Sequence, residues 1–537
     1  LRLKGINGMN VIGFPLLSLM LWLPALGALL ILLLPQGRQS LYRQTALAVT
    51  TATFALAATV LGLFVTGPYG PLGANGAVAG PPLQFVDQLT WIPAFGASYL
   101  VGLDGINLWL VLLTSLLAPL AVAATWSRLA RQNRTSMALL LVLETALLGA
   151  FLAQDMLLFY IFFEAALIPA VLLIGMQGGH GGARAAVRMF IYTFAASVLM
   201  LIGIIALHIL HRNAIAATTP GYVGTFELRQ IVADLRSGAF VLDPTAGRLI
   251  FGAFFFAFAV KLALWPFHTW LPDAYSAAPA PVAVLLAGVM SKFGTYGLIR
   301  FNLTLFPELS QWAAPAVGVL AVIGLIYAAV VAFSQTDMQR LIAYASISHM
   351  NMIALGIFAL NAVGINGALF QMAAHGIITA ALFLLVAVVY ERRQIRDLAS
   401  FGGLWKVMPA YGGVALLALL ATMGLPGLIG FVGEFAIMQG VFTSPALGWP
   451  FAAGAAVGVI LAAAYALRMF RASFMGEAST ANEQLPDLSR RELAMLGALA
   501  VLIVAGGLFP NLVFAPLSGS VEGLVAGLPH AVAAVLP

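Results

Sequence analysis

Cysteine is absent from the 537 residues, and charge is scarce: Lys, Arg, Asp and Glu together make up 8% of the chain. Without cysteine the chain holds no thiolate-ligated iron–sulfur cluster, no c-type haem and no disulfide of its own. Neither a dinucleotide-binding glycine fingerprint after a strand nor a phosphate-binding loop occurs, so redox chemistry linked to this chain must take place in a partner. The shortage of charge is equally decisive. Soluble chains carry about a quarter charged residues, whereas here 62% are hydrophobic and the mean hydropathy is +1.01. The chain reads as an all-α polytopic membrane protein with the lipid bilayer as its solvent. A net charge of +6 would point to nucleic acid in a soluble domain. Here the cations sit in short loops and set topology instead, so no nucleic-acid partner is expected.

Apolar runs of about 17–25 residues predict some fourteen transmembrane helices. They lie near 11–34, 45–66, 105–126, 136–153, 156–176, 188–211, 248–270, 281–299, 312–333, 341–360, 366–390, 411–440, 446–472 and 493–515. The seventh and twelfth contain Pro266 and Pro426 and read as broken helices, since proline removes a backbone donor and frees a carbonyl. Paired breaks of this kind point to inverted repeats with an ion path between them. The first run lacks a small-residue cleavage site and reads as a retained span, with Met9 an alternative start.

Loops after odd-numbered spans hold sixteen cations, among them Arg38, Arg43, Arg128, Arg131, Arg134, Arg184 and Arg188. The opposite side holds seven, Arg2, Lys4 and Arg300 included, and the last two, Lys261 and Lys292, fall inside spans. Positive loops stay in the cytoplasm, which places both termini on the non-cytoplasmic side. Two stretches on that outer side, 67–104 and 212–247, read as ordered or semi-ordered caps.

Ionisable groups inside a membrane are costly and functional by default. Glu164, in LLFYIFFEAALIPA, has apolar neighbours on both sides, and desolvation disfavours its charged form unless a cation pairs with it. Lys261 precedes Pro266 by five residues. Lys292 lies eleven residues past Pro281, roughly 16 Å of helix rise, too deep for easy snorkelling to the surface. Glu434 follows the second break by eight residues. His349 and His375 have polar neighbours that suit a hydrated relay. Glu144 and His268 are secondary candidates; a helix–helix hydrogen bond explains Glu144 nearly as well as transport does. Asp104 and Asp155 sit near span ends and read as capping or structural residues. No histidine pair has ligand spacing on one helix face, so no metal site is expected. A hydrolase or transferase needs its acid, base and nucleophile clustered at a cleft; a row of Glu, Lys and His over several helices suits stepwise proton transfer.

The segments QDMLLFYIFFEAALIPAVLLI, AVKLALWPFHTWLPDAYSAAPAPVAVLLAGVMSKFGTYGLIRF, RLIAYASISHMNMIALGI, QMAAHGIITAALFLLVAVVYERR, GGLWKVMP and GLPGLIGFVGEF carry a resemblance. In this order they resemble the antiporter-like proton-pumping subunits of respiratory complex I, of the M (chain 4) type in NADH–quinone oxidoreductase. The resemblance spans about residues 100–475. It implies fourteen transmembrane helices with two inverted five-helix repeats and breaks in spans 7 and 12. The chain then divides into 1–126, a first half-channel at 136–300, a second at 312–472, and a last helix with its tail at 493–537. By matching motif, Glu164 and Lys261 are the coupled ion pair, Lys292 the central lysine, His349 and His375 the hydrated connection, and Glu434 the terminal carboxylate toward the outer side. Glu434 also sorts the relatives, because the L- and N-type subunits and the sodium–proton antiporters usually have lysine there. Three positions depart from the pattern: Tyr275 where a second histidine is frequent, Gln339 where lysine is common, and Gln177 where tryptophan is usual. Gln177 reads as a packing change.

The resemblance further implies L-, N- and K-type antiporter-like neighbours and a hydrophilic arm as partners. NADH, FMN, iron–sulfur clusters and quinone are then expected in those partner subunits, with no cofactor in this chain. A bacterial plasma membrane is the expected location, a thylakoid membrane the alternative. The competing function is an Mrp-type secondary cation/proton antiporter subunit.

Overall fold

Residues 15–67, 70–71, 83–126, 133–179, 181–478 and 480–529 are described by a computed structural model. Met9, Arg2, Lys4, Arg128, Arg131 and residues 68–69 and 72–82 of the 67–104 cap lie outside them.

Among the described residues, twelve helices are long and apolar enough to cross a membrane. Adding Met338–Ile357 and the broken pair Pro409–Thr422 and Ile429–Phe442 gives the fourteen expected spans. Met338–Ile357 carries Gln339, Arg340, Ser346, Ser348, His349 and Asn351 on one helix, which lowers its hydropathy while its neighbours bury nearly all of it. Span 7 runs as Pro244–Leu262, an irregular stretch, then Leu271–Ala277. The breaks therefore recur at the fourth position of spans 4–8 and of spans 9–13. Left-handed backbone opens each of them: Ala263 at φ 62° in the first, Gly424 at 68° and Gly427 at 90° in the second.

Burial sorts the spans into layers. Span 8, Ala280–Leu303, is wholly buried within its apolar window, and span 11, Ala362–Arg393, is 94% buried. Span 13, Trp449–Phe474, and span 14, Arg490–Leu508, are only 28% buried and turn Ile460 and Val501 outward. Apolar side chains exposed in this way are the surface a lipid would cover.

Several expectations need correction. The helices outlast the hydrocarbon-length runs, so span 2 is Gln39–Thr66 and span 6 is Gly182–Ala216. Arg43, Arg184 and Arg188, counted as loop cations, thus sit on helices, where a long side chain still carries its charge to the surface. Arg300 is within span 8 and buried; it is not a loop cation. The last span ends at Leu508, where Pro510 cannot continue the ladder, and a separate helix, Asn511–Val525, follows.

The all-α architecture holds, with one small strand pair beside the helices. Gln84–Ile92 and Ala97–Leu103 form an antiparallel hairpin, turned at Gly96 with φ 65°. Glycine suits that turn doubly, because an added Cβ would meet the Gly224 carbonyl at 1.9 Å. Asp87 accepts hydrogen bonds from the Ser18 backbone and hydroxyl at 2.8 and 2.7 Å, tying the hairpin to span 1. The second cap holds an amphipathic helix, Leu228–Ser237. Both caps meet the turn between spans 4 and 5, where the Gln154 N–H bonds to Leu100 and the Leu228 N–H to Gln154.

Candidate functional site

Glu164 ends a helical segment, Met156–Ala165, because Pro169 withholds the N–H that the Ala165 carbonyl would receive and a new segment starts at Leu167. Lys261 ends another, Pro244–Leu262. The carbonyls freed by the span 7 break find donors: Trp270 Nε1 reaches Val260 at 3.0 Å, and Asn351 Nδ2 reaches Ala263 at 3.3 Å. Asn351 also accepts the Trp265 N–H at 3.3 Å, so span 10 holds the break in shape.

Lys261 is buried, and its ammonium lies 4.6 Å from the centre of the Phe163 ring and 5.9 Å from that of Phe293. Such contacts stabilise a cation that has left water. Glu164, half-buried, interacts electrostatically with Lys261 without closing to the 4.0 Å of an ion pair. The expected pair is therefore a separated one. Phe163, Phe293, Phe151, Phe159, Phe258 and Phe301 pack edge to face or stacked around it.

The other candidates form a contact chain. Span 8 carries two π-helical stretches, Leu286–Met290 and Leu298–Leu303, on either side of Lys292; π-bulges are frequent at functional sites. Lys292 Nζ donates to the Ala287 carbonyl at 2.6 Å and lies 2.7 Å from His375 Nδ1. The His375 and His349 rings are 5.9 Å apart. His349 Nδ1 then lies 3.1 Å from Glu434 Oε1, which also accepts from Gln371 Nε2 at 3.3 Å.

Ser346, His349, Gln371, His375, Thr379, Thr422 and Glu434 line one cavity, with about 20 Å³ open to the centre of a water molecule, room for about one water. Four buried atoms on these residues have no protein partner: Ser346 Oγ, Gln371 Oε1, His375 Nε2 and Glu434 Oε2. Buried polar atoms need partners, so the cavity is built for water.

The secondary candidates stand apart from this chain. Glu144 is fully buried on span 4, Arg134–Leu152, and both of its oxygens lack a hydrogen bond; the helix–helix bond considered for it is not made. His268 packs edge-on against Tyr327, with Nδ1 unpartnered. Tyr275 donates to the Leu286 carbonyl at 3.2 Å, within the π-helical stretch. Gln339 donates to the Tyr275 and Ala278 carbonyls and accepts from Arg396, an acceptance that lysine could not make. Gln177 does more than pack, because its amide donates to Ser136 Oγ at 2.6 Å.

Sequence reasoning missed three features. Tyr465, Gln371 and Asn351 complete the site, yet a lone polar residue in a membrane helix gives little signal. Asp104, expected to cap, does cap span 3, Gly105–Ala124, and it also binds Arg300 through two contacts of 2.7 and 2.8 Å. Burial works against the charged Asp104 carboxyl, but Arg300 and the cap hydrogen bonds outweigh it and hold the group below the usual carboxylate range. Asp155 caps the next helix by accepting from Leu157 and Leu158. Among the described residues no group of three or more His, Cys, Asp or Glu side chains is placed to hold a metal ion.

Residues 153–462 match a family model described as NADH:quinone oxidoreductase/Mrp antiporter, TM. The chain is 38% identical over 538 residues to NADH-quinone oxidoreductase subunit M of Mycobacterium tuberculosis, covering 95% of this chain and 93% of that one. It is 39% identical over 516 residues to subunit M of Rhodobacter capsulatus, covering 95% and 96%. Among solved structures, respiratory complex I from Thermus thermophilus with bound NADH contains a chain with a TM-score of 0.80 and 32% identity, covering 95% of this chain and all of that one.

Proposed function

The chain belongs to the NADH:quinone oxidoreductase/Mrp antiporter membrane family, and from that premise we propose that it is the M-type proton-translocating subunit in the membrane arm of a complex I-type NADH:quinone oxidoreductase. The observation that carries the reading is the buried contact chain from Lys292 through His375 and His349 to Glu434, beside a small cavity that exposes unpartnered polar atoms of His375 and Glu434.

In this reading, redox work in partner subunits changes the field at Glu164 and weakens its hold on Lys261. Lys261 gives its proton toward the Lys292 amine. Lys292 passes one to His375 Nδ1, and His349 passes one to Glu434, which releases it outward. Low dielectric makes the separated Glu164–Lys261 interaction strong and sensitive to small movements. NADH, FMN, the iron–sulfur clusters and quinone belong to the partners, and L-, N- and K-type subunits are the neighbours in the arm. The two half-channels are 136–300 and 312–472, in a bacterial plasma membrane with both termini on the non-cytoplasmic side.

Native purification from membranes tests the assignment. Recovery with iron–sulfur and quinone-site subunits is the expected result. Recovery alone or with small antiporter subunits, with sodium-dependent transport, would move the chain to the Mrp-type reading.

A further inference from the structure

Span 13 faces outward along most of its length, yet it sends one large polar side chain inward. Tyr465 is 1% exposed, and its hydroxyl meets His349 Nε2 at 3.0 Å. The other nitrogen of that ring, Nδ1, is the one beside Glu434. Glu434 Oε1 already acts as an acceptor, toward Gln371 Nε2, so Nδ1 carries the imidazole proton that faces it and Nε2 is left as an acceptor. The Tyr465 hydroxyl then donates to Nε2, and both nitrogens are engaged. Across the cavity, Lys292 engages His375 Nδ1. The neutral His375 ring thus keeps its proton on Nε2, the atom without a partner. A proton leaving His375 Nε2 finds one nitrogen of His349 able to take it, and Tyr465 covers that nitrogen.

We infer that Tyr465 is a positioning residue that gates proton transfer: its hydroxyl holds His349 with Nδ1–H aimed at Glu434 and closes Nε2 to protons coming from His375. The inference rests on the proton-transfer reading above. For a proton to pass, the hydroxyl turns away from Nε2. The His375 Nε2–H bond breaks and a His349 Nε2–H bond forms, directly or through a water in the cavity. Nδ1–H of His349 breaks as the Glu434 O–H bond forms, and Lys292 resupplies His375 at Nδ1. One proton enters the His349 ring and one leaves.

Tyr465→Phe keeps the aromatic ring and removes the lock. The test uses the whole complex in sealed vesicles, with its assembly checked on a native gel. The expected result is a several-fold rise in passive proton permeability with electron transfer blocked, together with fewer protons moved per electron during turnover. Adding Lys292→Met should return the permeability to the wild-type level, because the leak runs through Lys292. A wild-type permeability and proton ratio in Tyr465→Phe overturns the gate. Slower quinone reduction at an intact proton ratio overturns it too, by making the hydroxyl a relay. A silent Tyr465→Phe beside a Lys292→Met that has lost pumping refutes the gate alone. A Lys292→Met that still pumps refutes the reading beneath it.

Discussion

The site divides by contact into two halves that hold similar groups in opposite settings, and Lys292, although it lies within 136–300, joins the second through His375. In the first half, Glu164 and Lys261 are separated, and phenylalanine rings enclose the ammonium. In the second, Lys292 lies within hydrogen-bond distance of His375 and His349 within hydrogen-bond distance of Glu434, with the two rings 5.9 Å apart beside a cavity lined by polar and apolar side chains. A separated pair whose ammonium is buried against aromatic rings responds to geometry, because its energy changes with distance. A contact chain responds to proton occupancy, because each link needs a donor facing an acceptor. On the proposed reading, the first half senses a change in field and the second carries protons.

Arginine substitutions give the largest effects and test that division. Arginine keeps the charge of lysine but does not release its proton. Lys292→Arg should abolish coupled pumping, and Lys261→Arg should lower it at least about tenfold, equivalent to about 1.4 kcal/mol in a barrier. Proton uptake by vesicles during quinone reduction reads both. If Lys261→Arg pumps like wild type, the first half is a fixed charge and the comparison sharpens. If Lys292→Arg does so, the comparison breaks.

Next in size is the buried anchor between the start of span 3 and the end of span 8. Asp104→Ala strands Arg300 without its partner, which costs about 3–5 kcal/mol for a broken buried ion pair. Lower assembly and an earlier thermal transition are expected. The native Asp104 carboxyl is held below its ordinary value, so its stabilisation is complete above the unfolded value of about 3.9. It is lost as pH falls through the folded value. Melting of the wild-type complex should therefore weaken below about pH 4 through this pair, and Asp104→Ala should lack that component.

The smallest effect concerns the aromatic wall. Phe163→Leu keeps the site dry while removing the closer ring from Lys261. A desolvated cation–π contact is worth about 1–2 kcal/mol, so a several-fold loss of coupled activity with normal assembly is expected. Full activity would show that dryness alone, without the ring's electrostatics, suffices in the first half.

Much of this was legible residue by residue. Lys292 stood out because an ammonium some eleven residues into an apolar helix has no cheap reason to be there. Pro266 and Pro426 announced the breaks, and both are present. The Gly- and Pro-rich stretch before span 3 gave no clear alternation, so the hairpin Gln84–Ile92 with Ala97–Leu103 was invisible as strands. Arg300 was misassigned to a loop because it lies near the end of an apolar run, and nothing local reveals a partner 196 residues earlier.

The sequence by itself determined that this chain is a membrane protein, where its helices run and break, and which ionisable groups lie inside. Those are consequences of transfer free energy and backbone chemistry, both local to each segment. Only the tertiary structure decided who faces whom. Lys292 meets His375 across 83 residues, His349 meets Tyr465 across 116, and Glu164 stops short of Lys261. Pairing depends on the rotation and depth of each packed helix, which are set by the whole bundle rather than by any one segment.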